Sequence, residues 1–178
     1  VSPKIYFYLD REFHEYPTKF KGAVLWYAGG IIDWRNMMAF HRGVDEVDRG
    51  QYDEESETDF ATGCCIIARR DMVEKIGLLN DDYFLYYEDT EWSMRARKSG
   101  FKLMYEPKSR VWHKNAGSTG GSGSDIQAYY QTRNKLLFAM AYAPLKTKLV
   151  LLKRALAQLF SGGKIEKKAA FDYYLKRL

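Results

Sequence analysis

Cysteine is nearly absent from this sequence: the only two, Cys64 and Cys65, stand side by side. Adjacent cysteines are poor partners for each other and give no CxxC spacing for zinc, so a disulfide framework and a zinc ribbon are excluded. Both thiols are expected reduced and packed inside a strand. Long apolar runs are missing too, since none approaches the roughly 18 to 20 residues that a membrane span needs. The first residues, VSPKIYFYLD, lack the basic and then apolar order of a secretory signal. A cytoplasmic location is the expectation from these absences. No internal repeat is visible. What is present is a globular composition, 46% hydrophobic and 16% aromatic over 178 residues, long enough for one domain with a real core. The net charge of +5 is unevenly placed: nine Lys or Arg lie beyond Pro144 against Glu166 and Asp172, so the basic excess sits in the tail.

KIYFYL (4–9) and AVLWYAGGII (23–32) are apolar and β-prone, and both read as strands. Between Asp45 and Asp59 eight acids accompany a single base, the composition of a solvated loop. TGCCIIAR (62–69) has no polar alternation, as in a strand buried on both faces. RDMVEKIGLL follows as a helix with Asp71 as N-cap and Gly77 as its stop. YFLYY is strand-like, and the next helix carries acids in its first turn, Arg95, Arg97 and Lys98 toward its end, and Gly100 beyond. FKLMYE is extended up to Pro107, and RVWH starts another short extended piece. GSTGGSGS (117–124) has linker composition. Three helices are predicted after it, at 126–142, 145–160 and 165–178. The second sets Leu145, Leu149, Leu152, Leu156 and Leu159 on one face, with Lys146, Lys148, Lys153 and Arg154 near its polar side. That face fits either packing on its own domain or an anionic lipid surface. The order of elements is α/β.

Glu88 and Asp89 are the strongest chemical candidates. Two adjacent carboxylates directly behind an apolar segment are costly unless a cation or a reacting proton meets them. At a helix N-terminus a carboxylate is held ionised by the helix dipole and is placed to take a proton from an incoming hydroxyl. A plain cap is the alternative. His113, in VWHK after an apolar pair, suits packing or, with carboxylates nearby, one position in the shell of a divalent ion.

Several segments together resemble the inverting GT-A glycosyltransferases of family 2, in particular the rhamnosyltransferase-like branch that builds bacterial cell-surface polysaccharides. They are PKIYFY, WYAGGII, HRGVDEVDRGQYD, TGCCIIARRDMVEKIGLLNDDYFLYYEDTEWSMRARKSGFKLMYEP, VWHK with its glycine-serine run, and YYQTRNKLLF. The resemblance implies that Asp89 is the general base, with Glu88 beside it and Glu91 where a second aspartate is more usual. It implies that His113 is a ligand of Mg²⁺ or Mn²⁺, and that Gly63, Cys64, Glu91 and Trp92 belong to the substrate pocket. The segment after His113 would close over the donor diphosphate, and Arg133 would touch phosphate. Asp89 and His113 would then open onto one cavity.

The implied fold is a partial GT-A fold, a mixed sheet flanked by helices with a helical C-terminal tail, divided into an acceptor-side half at 1–143 and a basic amphipathic tail at 144–178. The family's nucleotide-binding half and its DxD motif have no counterpart here. NDDY at 80–83 lies in the turn before the acidic pair, out of place for that motif. A fragment inactive by itself is therefore expected, from an enzyme that moves sugar from a nucleoside-diphosphate sugar to a saccharide or lipid-linked acceptor at the inner face of the plasma membrane. The rival is a non-catalytic carbohydrate- or protein-binding module of the same shape. Nucleic acid is not an expected partner, because no recognition motif accompanies the basic tail.

Overall fold

The computed structural model describes residues 1–114 and 123–175. Contacts divide them into two compact units. The first takes Val1–Ile32, Ala39–Leu79 and residues 89–114; the second takes Asp33–Met38, Asn80–Glu88 and the C-terminal helices.

In the first unit a four-stranded mixed sheet is built from β1 (Ser2–Phe7), β2 (Leu25–Tyr27), β5 (Ser56–Glu57) and β6 (Met104–His113), in the order β2-β1-β6-β5. β1 runs parallel to β6 and antiparallel to β2, and β5 is antiparallel to β6. A hairpin of β3 (Gly30–Asp33) and β4 (Met38–His41) forms a separate two-stranded sheet. All six residues of the central β1 are buried. That includes Lys4, whose ammonium donates to Asp48 at 2.8 Å and to Asp53, while the Tyr6 hydroxyl donates to the same Asp48 oxygen at 2.5 Å. A buried cation is tolerable only with such partners. The acid-rich stretch is accordingly no mere solvated loop: Glu57 meets Lys102 and Asp59 meets Arg97 as well.

Other expectations also change. TGCCIIAR is not a strand but a turn at Thr62–Cys65 followed by an extended piece whose Ile67 exchanges hydrogen bonds with Val1. The two cysteines pack, partly buried, against the core of Ile5, Leu25, Tyr27 and Tyr105. Pro107 does not end a strand: β6 runs through it, and the register against β1 slips from Pro3 opposite Glu106 to Lys4 opposite Arg110. Proline lacks the N–H a ladder needs, so it sits in the slipped stretch, where none is asked for. α1 (Arg70–Ile76) begins with Asp71 inside its first turn instead of capping it, and ends as expected on Gly77 with φ of 77°. The α2 helix is Glu88–Lys98.

The second unit contains α3 (Asp125–Tyr142), α4 (Leu145–Ser161) and α5 (Lys164–Leu175), within a few residues of the predicted spans. Ser124 caps α3, its hydroxyl accepting the Gln127 N–H. The glycine-serine segment, through Ser122, lies outside the described residues. YFLYY is not a strand: Phe84, Tyr86 and Tyr87 have φ of 55°, 64° and 70°, the left-handed region that costs a non-glycine residue about 1–2 kcal/mol each. α3 holds this segment in place. The Asn134 amide, wholly buried, donates to the carbonyls of Tyr83, Leu85 and Tyr86 at 2.6, 2.7 and 2.8 Å, and Arg133 donates to that of Asp82 at 2.7 Å.

Candidate active site

Asp89 lies one residue into α2, and Ser93 lies one turn later on the same face. Both accept backbone N–H groups from the segment alongside: Gly63 donates to Asp89 Oδ2 at 2.7 Å, and Ala61 to the Ser93 hydroxyl at 3.1 Å. The two N–H groups lie on either side of Thr62, where the chain enters its turn. The turn at Thr62–Cys65 then carries the backbone off before it can pair as a strand. Asp89 Oδ1 accepts from the Thr90 N–H at 2.6 Å and the Thr90 hydroxyl at 3.1 Å.

Desolvation raises the Asp89 pKa above its ordinary value, against the opposing pull of these donors. The Asp89 charge also reaches the Tyr27 phenol, which burial pushes up to about 12. A carboxylate has about four acceptor directions. The Thr90 N–H and hydroxyl converge on Oδ1 and the Gly63 N–H on Oδ2, and the Asp89 backbone N–H also stabilises the ionised carboxylate.

His113 closes β6 and packs edge-on against the Trp26 indole, ring centres 4.4 Å apart; His41 packs in the same way at 4.3 Å. Desolvation lowers the His113 pKa, favouring the neutral ring, and its buried Nδ1 has no hydrogen-bond partner among the described residues. β2 thus carries Trp26 against His113 and Tyr27 within the field of Asp89. A recess of about 290 Å³ in this unit is lined by Gly29, Gly30, Arg42, Thr58, Asp59 and Arg97 among others, and by neither Asp89 nor His113.

A neutral imidazole with an open nitrogen is what a metal requires of histidine. No group of three or more His, Cys, Asp or Glu converges among the described residues, so they do not by themselves fit a complete Mg²⁺ or Mn²⁺ site.

The remaining predicted residues are committed to the protein itself. Glu91 is buried and pairs with Arg95 through both oxygens at 2.9 Å. The Trp92 indole N–H donates to the Gly77 carbonyl at 2.8 Å, and its ring joins the cluster of Met72, Ala96 and Leu103. Burial pushes the Cys64 thiol up to about 11, far from a reactive thiolate. Glu88 opens α2 but groups with the second unit, as does Arg133, whose guanidinium is held by Asp82 and Asn134.

Ser93, His41 and Asn134 are residues that sequence reasoning missed. Ser93 stands one helical turn from Asp89, Asn134 follows Arg133 directly, and His41 opens the HRGVDEVDRGQYD segment. Spacing from the acidic pair was the available signal for Ser93.

Among the described residues no helix is long and apolar enough to cross a membrane. No family model matches the chain. Over 79 residues, 44% of this chain, it is 33% identical to the N-acetylglucosaminyl-diphospho-decaprenol L-rhamnosyltransferase of Mycobacterium tuberculosis, from strains CDC 1551 / Oshkosh and H37Rv alike. Over the same length it is 30% identical to the low-salt glycan biosynthesis hexosyltransferase Agl10 of Haloferax volcanii. The match spans 26% of the length of each of these relatives. Over that stretch the chain is related to glycosyltransferases.

Proposed function

We propose that these residues form the acceptor-side part of an inverting family 2 glycosyltransferase of GT-A type, with a nucleoside-diphosphate sugar as donor and a saccharide or lipid-linked acceptor. The names of the relatives support this reading, one a rhamnosyltransferase for a decaprenol-linked sugar and the other a glycan hexosyltransferase. Asp89 takes the proton of the acceptor hydroxyl as that oxygen attacks the anomeric carbon. The new C–O bond forms on one face of the sugar, and the bond to the diphosphate breaks on the opposite face, its electron pair leaving with the phosphate oxygen. The proton ends on Asp89. Gly63 and Thr90 orient the carboxylate, and its desolvation makes it a stronger base than a free one. His113 faces the same opening.

The observation that carries the reading is a desolvated carboxylate at the start of α2, oriented by the Gly63 N–H and by the Thr90 N–H and hydroxyl. The test is donor turnover with a lipid-linked saccharide acceptor, in a form of the protein that is active. Asp89→Asn is expected to lower kcat by about 10²-fold or more with a smaller change in KM. The base must be ionised to work, and its pKa is raised. Wild-type kcat/KM therefore falls with decreasing pH along a limb placed above the ordinary carboxylate value of about 3.9. That limb disappears in Asp89→Asn. A variant that keeps wild-type kcat would refute the assignment.

A further inference from the structure

α4 has two apolar faces. Leu151 and Ala155 are buried, and the Thr147 hydroxyl donates to the Trp34 carbonyl at 3.0 Å, so that side is held by the second unit. Of the predicted leucine stripe, Leu152 and Leu159 are half-buried, while Leu145, Leu149 and Leu156 face outward together with Phe160. Leu145, Leu149, Leu156 and Phe160 are 73%, 52%, 49% and 84% exposed. At 100° per residue these positions, with Leu152 between them, fall within an arc of roughly 80° and run along about 22 Å of helix.

The edges of the stripe are cationic. Lys148 borders one side, and Lys146 and Lys153 border the other; with Arg154 they make four basic residues and no acid in the helix. None of the four is in an ion pair among the described residues. A water-facing helix of this charge gains nothing from a row of exposed leucines ending in phenylalanine. A helix lying in the boundary between headgroups and acyl chains needs both features: an apolar strip to bury, and long basic side chains at its borders that reach back to anionic headgroups.

We infer that the outer face of α4 is a docking surface for an anionic lipid bilayer, on which the helix lies flat with Leu145, Leu149, Leu156 and Phe160 immersed and Lys146, Lys148 and Lys153 at the phosphate level. This goes beyond the transferase reading and stands on the geometry of α4 alone, so either can fail without the other.

The test is co-sedimentation of the 178-residue chain with vesicles of phosphatidylcholine alone and of phosphatidylcholine with phosphatidylglycerol in equal parts, at low and high salt. Wild type is expected in the pellet with the mixed vesicles at low salt, and to partition at least about tenfold less onto the neutral ones. Lys146→Gln, Lys148→Gln and Lys153→Gln together should lose about fivefold per lysine on anionic vesicles. Leu149→Glu with Phe160→Glu should lose more than about tenfold on both vesicle types. Both positions face water, so circular dichroism of the variants should match wild type. The inference is overturned if wild type stays in the supernatant, if either variant binds as wild type does, or if size exclusion shows a self-associated chain that Leu149→Glu with Phe160→Glu dissociates without any lipid binding.

Discussion

At the scale of single residues, burial raises the Asp89 pKa and lowers that of His41. His41 is enclosed between Trp26, Tyr27 and Phe60, and desolvation lowers its pKa to about 4, with His113 adding to the shift and the hydrogen bond to the Trp26 carbonyl opposing it. Unfolded, the ring titrates near 6.5. Between these values the unfolded chain binds the proton and the folded one does not. The stability tied to a neutral His41 is therefore complete above about pH 6.5 and lost as pH falls toward about 4, at most about 3 kcal/mol in all. His41→Asn keeps a donor near the Trp26 carbonyl but cannot titrate. Urea unfolding across this range should show the wild type losing stability on acidification by about that much more than the variant. Asp89 was legible in the sequence because an apolar segment followed at once by two acids signals a desolvated charge. His41 was not, since a histidine between Phe40 and Arg42 says nothing of the tryptophan that the hairpin brings over it. Glu91 and Arg95 were readable as an i, i+4 pair, whereas the use of the Trp92 indole on Gly77 depended on where α1 ends.

At the scale of elements, the helices were visible, and so were the strands in KIYFYL, AVLWYAGGII and RVWH, whereas TGCCIIAR and YFLYY were not what they looked like. Helical periodicity is local, and capping marks such as Ser124 and Gly77 stand beside it. Strand identity depends on a partner elsewhere in the chain. TGCCIIAR has the apolarity of a buried strand, but its N–H groups are spent on Asp89 and on Val1 instead of a ladder. YFLYY looked extended for the same reason, and its left-handed residues follow from three carbonyls converging on one amide far along the chain. That amide should dominate the local energetics. Asn134→Ala removes donors from three carbonyls and leaves the strain of Phe84, Tyr86 and Tyr87 unopposed. A loss of about 2–4 kcal/mol is expected in denaturant unfolding. A change under about 0.5 kcal/mol would mean that the segment is held by other contacts.

At the scale of the molecule, the second unit is discontinuous in sequence. Phe138 stacks on Trp34 and meets Tyr87, Thr147 reaches the Trp34 carbonyl, and Arg133 and Asn134 need the carbonyls of residues 82 to 86. Residues 123–178 made alone should be helical by far-UV circular dichroism but lack a cooperative urea transition and a near-UV signal, since these buried donors and rings would have lost their partners. A sharp transition would show that the helices suffice. The discontinuity also has a consequence during synthesis. The segment at 80–88 is synthesised before Asn134, and at about 5–20 residues per second the interval between the two is roughly 2 to 10 s. Throughout it only the local turn bonds, such as those from Tyr83 to the Asn80 carbonyl and from Phe84 to the Asp81 carbonyl, can hold the segment, and the Asn134 clamp joins them only once α3 has been made.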